Sequence, residues 1–322
     1  MLQSFPQLRS RNIDEVKALF LVRGQDSHID LPGGRRRSEF VANMVSFGEA
    51  TLLFTGYGAP IAMGFDPSAD FFLGYQVHEV SQVVVEGKVI ENDIEQSGCL
   101  VPRNRPWCVR SPNGFQVLLL RLTANALQRR LAAFLGSERA RLDLRQPSIA
   151  DPGRAGKLRA SVFDFADDVN LADRRFLPQL AANAIEDICL QVLTSLCEPV
   201  LKAERAPAAP SAVQLGRVEQ HIVANFAKPL TVATLAEVSG VSARCVFNHF
   251  LLRYGCTPHE YLERVRLDMA HFMLSACDTP DAVAPVALQC GYSSLGHFER
   301  AYRANYGELP PPLRRRELRR QR

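Results

Sequence analysis

The stretch LTVATLAEVSGVSARCVFNHFLLRY, residues 230–254, predicts two helices joined by one tight turn. Thr231 is a residue type that caps helix N-termini, and apolar residues follow it at helical spacing. Gly240 then ends the first helix, because glycine tolerates the left-handed backbone that a sharp turn needs. Ser242 begins the second helix in the same way as Thr231 begins the first. The stretch therefore predicts a helix-turn-helix unit.

The second helix of this unit has an inner and an outer face. Val246, Phe250 and Tyr254 lie four residues apart, so they pack on one side. The outer face is the one that enters a major groove in a helix-turn-helix protein, and it carries Arg244, Phe247 and Asn248.

The same pattern returns after about 50 residues. Residues 282–289 predict a short apolar helix, residues 290–292 a turn, and Ser294 the cap of a further helix. Phe298 and Tyr302 repeat the inward pair of the first unit. The outer face of this last helix carries Leu295, Gly296, Glu299, Arg300 and Arg303.

A third helical pattern, PHEYLERVRLDMAHFMLSA at residues 258–276, connects the two units. Its apolar stripe comprises Tyr261, Leu262, Val265, Met269 and Phe272. At about 1.5 Å per residue, this helix is roughly 27 Å long. It can therefore hold two recognition helices near the roughly 34 Å that separates successive major grooves on one face of a duplex.

These motifs resemble the DNA-binding domain of the AraC/XylS family of bacterial transcription regulators. The resemblance rests on the turn GVSARCVFNHF, the linker HEYLERVRLDMA and the closing CGYSSLGHFERAYRANYGELP, and it extends from Gln214 to the C-terminus. A lone helix-turn-helix pattern is weak evidence, whereas two copies with this connector and the G-x-x-P of residues 307–310 are specific. The resemblance implies that the chain regulates transcription, as an activator, through promoter DNA and RNA polymerase, without enzyme activity or a cofactor.

Charge is concentrated on the part of the chain that carries these motifs. The whole chain has a formal net charge of +4, and residues 213–322 contain 14 Lys and Arg against 10 Asp and Glu. The rest of the chain is balanced. This excess suits a phosphate-facing surface, although six arginines at residues 314–322 supply it and could form a solvated charge run.

Cysteine spacing and hydropathy indicate a cytoplasmic protein. The eight cysteines form no C-x-x-C pair and have no zinc-like His spacing, so reduced thiols are expected. No run of about 18 apolar residues occurs, and no membrane contact is expected. The cysteines are Cys99, Cys108, Cys189, Cys197, Cys245, Cys256, Cys277 and Cys290.

Residues 28–123 predict strands rather than helices. Short apolar runs are separated by Gly, Pro and Asn, and Glu86-Gly87 between two alternating runs reads as a tight hairpin. Many short strands favour a jelly-roll-like barrel, which can enclose a small molecule. The region also resembles the cupin-like effector domain of one branch of the same family. That resemblance implies a small-molecule effector, often an aromatic acid or another catabolic substrate, whose contact residues stay unassigned.

Barrels of this shape also house metal enzymes, which are therefore a competing class. A metal site needs clustered imidazole and carboxylate ligands, but this half of the chain has only His28 and His78. Glu79 follows His78 directly, and neighbouring strand residues point to opposite faces. No metal ligand is therefore assigned, and a metal-dependent cupin-type enzyme fused to a DNA-binding tail is the third option.

Helices are expected after the barrel, at residues 125–135 and 151–201. The last carries a stripe formed by Leu177, Leu180, Ala184, Ile185, Ile188, Leu196 and Val200. The stripe either forms a homodimer interface or covers an open side of the barrel. The expected architecture is α+β in two domains: a cupin-like barrel with appended helices at residues 1–202, a linker at 203–212, and an all-α tandem helix-turn-helix domain at 213–322.

The family resemblance implies which positions read bases, and side-chain chemistry indicates what each would contact. Arginine fits guanine and asparagine fits adenine by bidentate hydrogen bonds, so Arg244 and Asn248 are the first choices, with Phe247 against a thymine methyl. Phe247 could instead pack in the core. The matching residues of the second unit are Leu295, Gly296, Glu299 and Arg300, of which Arg300 has the best chemistry.

Phosphate contacts are expected from helix N-termini and one further arginine. The candidates are Thr231, Ser242, Ser293 and Arg266. Thr231 and Ser242 could also act only as caps. Pro285 departs from the family pattern, because it interrupts the helix expected at residues 281–289, where proline removes an amide and kinks anything but a first turn. The run at residues 310–312 also replaces the usual single proline.

The sequence thus predicts an activator whose small-molecule effector changes how the tandem unit engages promoter DNA. The alternative is a DNA-binding regulator that is controlled by a protein partner. The sequence does not identify the effector, the operator, the sign of regulation or the oligomeric state.

Overall fold

The computed structural model forms two compact units. The first comprises Met1–Arg129, Arg141–Asn170 and Ile188–Val200, and the second Arg130–Ala140, Leu171–Asp187 and Leu201–Arg322. The structure describes residues 1–21, 27–30, 39–92, 98–101, 104–111, 113–135, 152–175, 177–196, 212–276, 279–292 and 295–311. Several predicted features lie outside the described residues: the linker up to residue 211, Ser293, Ser294, Cys197, Cys277 and the arginine-rich tail.

The first unit is built from antiparallel strands. Their bounds are β1 Pro6–Ser10, β2 Ser27–Asp30, β3 Phe40–Ser46, β4 Ala50–Tyr57, β5 Ile61–Phe65, β6 Phe71–His78, β7 Ser81–Val85, β8 Lys88–Asn92, β9 Cys99–Val101, β10 Trp107–Ser111 and β11 Phe115–Leu122. One sheet has the order β1-β3-β4-β11-β6-β9 and the other β2-β5-β10-β7-β8. The predicted cupin-like barrel is confirmed, since two sheets enclose one apolar core.

Local chemistry explains how these strands turn and face inward. Strand β7 alternates buried and exposed residues, as a half-buried strand does. Glu86 and Gly87 connect β7 to β8 and both have positive φ, 50° and 79°. A two-residue hairpin turn needs this geometry, so the predicted hairpin is confirmed.

The helices have the following bounds: α1 Ile13–Leu21, α2 Ala124–Leu135, α3 Pro152–Leu171, α4 Leu177–Leu196, α5 Ala212–Ala224, α6 Val232–Ser239, α7 Ala243–Tyr254, α8 Pro258–Ser275, α9 Val283–Gln289 and α10 Leu295–Tyr306. Within the described ranges, none of these helices combines the length and hydropathy needed to span a bilayer. In α4, Leu177, Leu180, Ile185 and Ile188 are all buried within the single chain. These four side chains of the stripe therefore have neighbours within the chain itself.

The second compact unit contains the two predicted helix-turn-helix motifs. Helices α6 and α7 form the first, and α9 and α10 the second. Thr231 Oγ1 accepts from the Thr234 amide at 3.1 Å, and Ser242 Oγ accepts from the Cys245 amide at 3.3 Å. Both residues therefore cap their helices.

Pro285 lies close to the start of its helix. Residues Pro280–Ala282 form a short 3-10 turn, and α9 begins only at Val283. Pro285 thus falls in the first turn of α9, where backbone amides have no partner within the helix. Pro285 is therefore compatible with α9, because the helix starts later than residue 281 and a first turn tolerates proline.

Helix α8 connects the two units and has a well-defined start. Thr257 Oγ1 accepts from the Glu260 amide at 3.1 Å, and Glu260 Oε2 accepts from the Thr257 amide at 2.7 Å. This capping box satisfies two backbone amides at once. The apolar stripe predicted for α8 was partly wrong, because Phe272 is 75% exposed whereas the polar Arg266 is 7% exposed.

The two helix-turn-helix turns each depend on a glycine. Gly240 has φ +67° and Gly291 has φ +85°, so both occupy the left-handed region. A Cβ on Gly240 would meet nothing within 4 Å, whereas a Cβ on Gly291 would lie 2.8 Å from the Ala227 carbonyl oxygen. The second turn is therefore restricted by both conformation and space.

We expect Gly291→Ala to destabilise the second compact unit, which contains both helix-turn-helix motifs, more than Gly240→Ala does. The Gly240 variant adds only the left-handed strain, about 1–2 kcal/mol, and the Gly291 variant adds a backbone clash, for roughly 2–5 kcal/mol in total. Urea unfolding followed by far-UV circular dichroism measures both. Equal losses for the two variants would contradict the role of the Ala227 contact.

Candidate nucleic-acid interface and barrel cavity

The outer face of α7 carries two of the three base-reading candidates at its surface. Asn248 is exposed and Arg244 is partly exposed. They lie four residues apart on one helix, so their side chains project from the same face. Both carry the donors that suit base edges in a major groove.

Phe247, the third candidate of α7, is buried. Its side chain is 4% exposed, and its ring packs edge-on against Phe134 of α2 with 5.8 Å between the ring centroids. Both residues belong to the second compact unit. In this structure Phe247 therefore has a packing role, which corresponds to the alternative named for it above.

The base-reading candidates of α10 are more exposed than Phe247. Leu295 is 40% exposed, and Gly296, Glu299 and Arg300 are partly exposed. A Cβ on Gly296 would lie 3.3 Å from Leu171 Cδ1, so a larger side chain would press against Leu171. These four candidates offer one cation and one carboxylate beside small or apolar groups.

The phosphate candidates separate into caps and one buried side chain. Thr231 and Ser242 occupy helix N-termini and cap them, as described above. Arg266 instead donates from Nε to the Phe226 carbonyl at 2.8 Å and from Nη2 to the Lys228 carbonyl at 3.0 Å. The expectation of a phosphate contact is corrected for Arg266, because its guanidinium is buried and ties α8 to the segment after α5.

Aromatic contacts fix α8 against both recognition helices. On the side of α7, the Tyr261 ring lies 5.0 Å from the Phe250 ring. On the side of α10, His271 Nδ1 is 2.5 Å from Tyr302 Oη, and Tyr306 Oη donates to Asp268 Oδ1 at 2.7 Å. The spacing between α7 and α10 is therefore set by packing as well as by chain length.

An ion pair adds a charged link between α8 and α10. His297 Nε2 lies 3.3 Å from Glu263 Oε1. Burial alone would raise the pKa of the Glu263 carboxyl, but the hydrogen bond from His297 and the charges of His259 and Arg266 hold this pKa below its ordinary value. Burial lowers the pKa of the Arg266 guanidinium. Sequence reasoning missed this pair, since nothing in the spacing of residues 263 and 297 shows that they meet.

The barrel of the first unit encloses a cavity of about 430 Å³. This volume falls within the range of small-molecule sites. The described lining is largely apolar and aromatic, and the rings of Phe65 and Trp107 stack with 4.2 Å between centroids. On the opposite sheet, Tyr57 and Phe115 are paired across β4 and β11, and their rings stack at 4.9 Å. Aromatic side chains thus line both walls of the cavity.

Sequence reasoning could not assign these cavity residues. An inward strand position such as Trp107 is first of all a core position, and the enclosed volume depends on which strands pair. The signal available in the sequence was only the alternation within each strand.

The possible metal ligands of the barrel are not gathered at the cavity. His78 and Glu79 are both exposed at the end of β6, with His78 Nε2 at 3.7 Å from Glu79 Oε1. Neither lines the cavity. Across the part of the chain that the structure describes, no group of three or more His, Cys, Asp or Glu side chains is placed to hold a metal ion.

Comparison with known proteins agrees with both halves of this arrangement. Residues 26–194, just over half of the chain, match the family described as AraC-binding-like domain, and residues 235–316 match a helix-turn-helix domain. Across 139 residues the chain is 29% identical to the probable transcriptional regulator LumQ of Photobacterium leiognathi, which covers 43% of this chain and 52% of that protein.

Two further similarities concern shorter segments. The chain is 34% identical over 95 residues to the XylDLEGF operon transcriptional activator 2 of Pseudomonas putida, which covers 29% of this chain and 60% of that protein. It is 41% identical to the solved structure of a probable AraC family transcriptional regulator from Rhodopseudomonas palustris CGA009, over 32% of this chain and 97% of that one, with a TM-score of 0.30. The chain thus spans about half the length of the curated relatives it matches.

The Glu263–His297 pair predicts that the stability of the second compact unit depends on pH. Because the folded pKa of Glu263 is below the ordinary 4.5, its contribution is complete above that pH and is lost as the pH falls through the folded pKa. The pair is about one-third exposed, so we expect the loss to be about 1 kcal/mol or less.

Urea unfolding at a series of pH values, from neutral to below 4.5, measures this contribution. Glu263→Gln should flatten the acid limb of the stability curve, whereas Glu237→Gln, at an exposed position of α6, should leave it unchanged. An identical acid limb in wild type and Glu263→Gln would rule out the pair as its source.

Proposed function

Because this chain belongs to the AraC/XylS family of transcription regulators, we propose that it activates transcription by reading promoter DNA with α7 and α10 under the control of a small molecule in its barrel. The observation that carries the DNA-reading part is the pair Arg244 and Asn248 on one outward face of a capped recognition helix. Its relatives are transcription regulators rather than enzymes.

The first recognition helix supplies most of the proposed specificity. Arg244 would donate to guanine O6 and N7, and Asn248 would exchange two hydrogen bonds with adenine. Phe247 would add a thymine methyl contact once it is released from Phe134. Thr231 and Ser242 would position α6 and α7 on phosphates through the amides that follow them.

The second recognition helix would read fewer bases. Arg300 is its one cation among the candidates, while Leu295 and Gly296 offer only shape and a methyl contact. Glu299 would accept from cytosine N4. Ser293 is proposed for a phosphate contact on sequence grounds alone, since it lies outside the described residues.

The barrel cavity supports effector control. It is large enough for a drug-sized or smaller molecule, and its walls are aromatic. A coupling of about 1–3 kcal/mol between the effector and DNA sites is sufficient for a switch of roughly 5 to 150-fold. The alternative is control by a protein partner, which would need no occupant in the cavity.

Further partners follow from the proposed activity. An activator at a promoter contacts RNA polymerase, and we propose this partner together with a homodimer as the functional form. We also propose the domain division predicted from the sequence, at residues 1–202, 203–212 and 213–322. A promoter-binding protein acts where the bacterial chromosome is, so the proposed location is the cytoplasm.

We expect Arg244→Ala to weaken operator binding by about 1–3 kcal/mol and to relax the preference at one base position. Selection of bound fragments from the source genome defines the operator, and a mobility-shift series with single-base substitutions measures the preference. Arg253→Ala is the matched control: it lies nine residues away on α7, which places it on the opposite face. An unchanged base preference in Arg244→Ala would exclude this residue from base reading.

Effector control predicts a ligand-dependent change in DNA affinity. A compound that stabilises the full chain in a thermal-shift screen should change operator affinity by roughly 5 to 150-fold. The same compound should have no such effect on a variant whose cavity is filled by Gly74→Val, since Gly74 lines the cavity. Ligand binding without any change in DNA affinity would favour control by a protein partner.

A further inference from the structure

The charges around the barrel cavity restrict what the cavity can bind. Among the lining residues that the structure describes, Arg121 is the one that carries a formal charge. No described lining residue is a carboxylate that could pair with a ligand amine. Transfer of an unpaired ammonium group into such an apolar site is costly, so a cationic ligand does not fit.

Arg121 is also committed within the protein. Its Nε donates to Asp70 Oδ2 at 2.7 Å, and Nη2 lies 2.5 Å from the same oxygen. Asp70 Oδ1 in turn accepts from the Ala124 amide at the start of α2, at 3.1 Å. A ligand carboxylate would have to compete with Asp70 for Arg121, and displacing Asp70 would remove the partner of that amide. A carboxylate is therefore disfavoured in this cavity.

A chain of hydrogen bonds determines the orientation of the one buried amide in the lining. Gln76 Nε2 donates to the His78 carbonyl at 3.0 Å, so Gln76 Oε1 is an acceptor. Ser81 Oγ donates to that oxygen at 3.0 Å, and Asn92 Nδ2 lies 3.4 Å from it. Asn92 must therefore direct its amide nitrogen toward Gln76, which makes its Oδ1 the remaining acceptor.

Asn92 Oδ1 has no hydrogen-bond partner among the residues that the structure describes. Asn92 is 3% exposed and lines the cavity, and its Oδ1 is buried. A buried acceptor without a partner is destabilising, so a ligand that donates a hydrogen bond there gains more than one that cannot. Gln76 is paired with Val117 of β11, four residues before Arg121. At about 3.3 Å per residue, the amide cluster and Arg121 are roughly 13 Å apart along the barrel.

We propose that the effector is an uncharged aromatic molecule with a hydroxyl or N–H group, which donates a hydrogen bond to Asn92 Oδ1 while its ring lies among the aromatic side chains of the cavity. This inference rests on the proposed function, because it takes the barrel cavity as the effector site. A phenol meets the description: like the tyrosine side chain it keeps its proton at neutral pH, with a pKa of about 10.

Three matched probes test the proposal on the full chain. They are 4-ethylphenol, 4-ethylanisole, in which the donor is methylated, and 4-ethylbenzoate, in which it is replaced by a carboxylate. Titration calorimetry gives the affinities. Trp107 is the only tryptophan in the chain and lines the cavity, so its emission shows that each probe binds there. We expect 4-ethylphenol to bind roughly 10 to 100-fold more tightly than either of the other probes.

Substitution of Asn92 separates the hydrogen bond from the cavity. Asn92→Leu should abolish the preference for 4-ethylphenol over 4-ethylanisole while the anisole still changes Trp107 emission. Asn92→Ser, which keeps a donor toward Gln76 but lacks Oδ1, should behave in the same way and serves if the leucine variant does not fold. A phenol preference that survives both substitutions would overturn the assignment to Asn92.

The remaining outcomes distinguish this inference from the proposed function. Tighter binding of 4-ethylbenzoate, or no binding of any probe, would overturn the inference and leave the DNA-reading assignment to the Arg244 experiment. Phenol binding with the expected preference but without any operator preference would support the assignment of the ligand to Asn92 and overturn the proposed function, and with it the role of that ligand as an effector.

Discussion

The buried guanidinium of Arg266 is the constraint on which the DNA-binding half depends. Two recognition helices can enter neighbouring grooves only if the helix between them cannot rotate or slide. Arg266 gives α8 two charge-assisted hydrogen bonds to backbone carbonyls of the preceding segment, at Phe226 and Lys228. The rings on either side of α8 then hold α7 and α10 against this one helix. The separation between the outer faces of α7 and α10 is therefore set by the fold and not by the DNA.

The first compact unit, which contains the barrel, differs because its fold leaves interior space unfilled. Small domains normally fill their interiors to crystal-like density, yet these two sheets enclose about 430 Å³. Gly74 contributes to that space, since it is a strand residue without a side chain on the cavity wall. Two polar residues of the lining, Ser81 and Asn92, belong to a network around Gln76, and Asn92 Oδ1 has no partner among the described residues. Both features reduce the stability of the empty barrel, and the proposed effector would compensate for them.

Features set by local chemistry could be predicted from the sequence, and features set by packing could not. The caps at Thr231 and Ser242, the turn at Gly240 and the Glu86-Gly87 hairpin each depend on a few consecutive residues. The errors concern burial and pairing across distance. Phe272 was expected inside and is exposed, because an apolar residue on a helix does not show which side the neighbouring helices occupy. The link between Glu263 and His297 and the strand order of both sheets arise only when distant segments meet.

The burial of Phe247 conflicts with the base contact proposed for it. Its ring is covered by Phe134 in the second unit, and an aromatic pair of this kind contributes about 0.5–1.5 kcal/mol beyond the area that it buries. If the same ring reads a thymine methyl, it must first leave Phe134. The protein then competes with its own operator for one side chain, so the apparent affinity for DNA reflects how often α2 releases Phe247 as well as how well the bases fit.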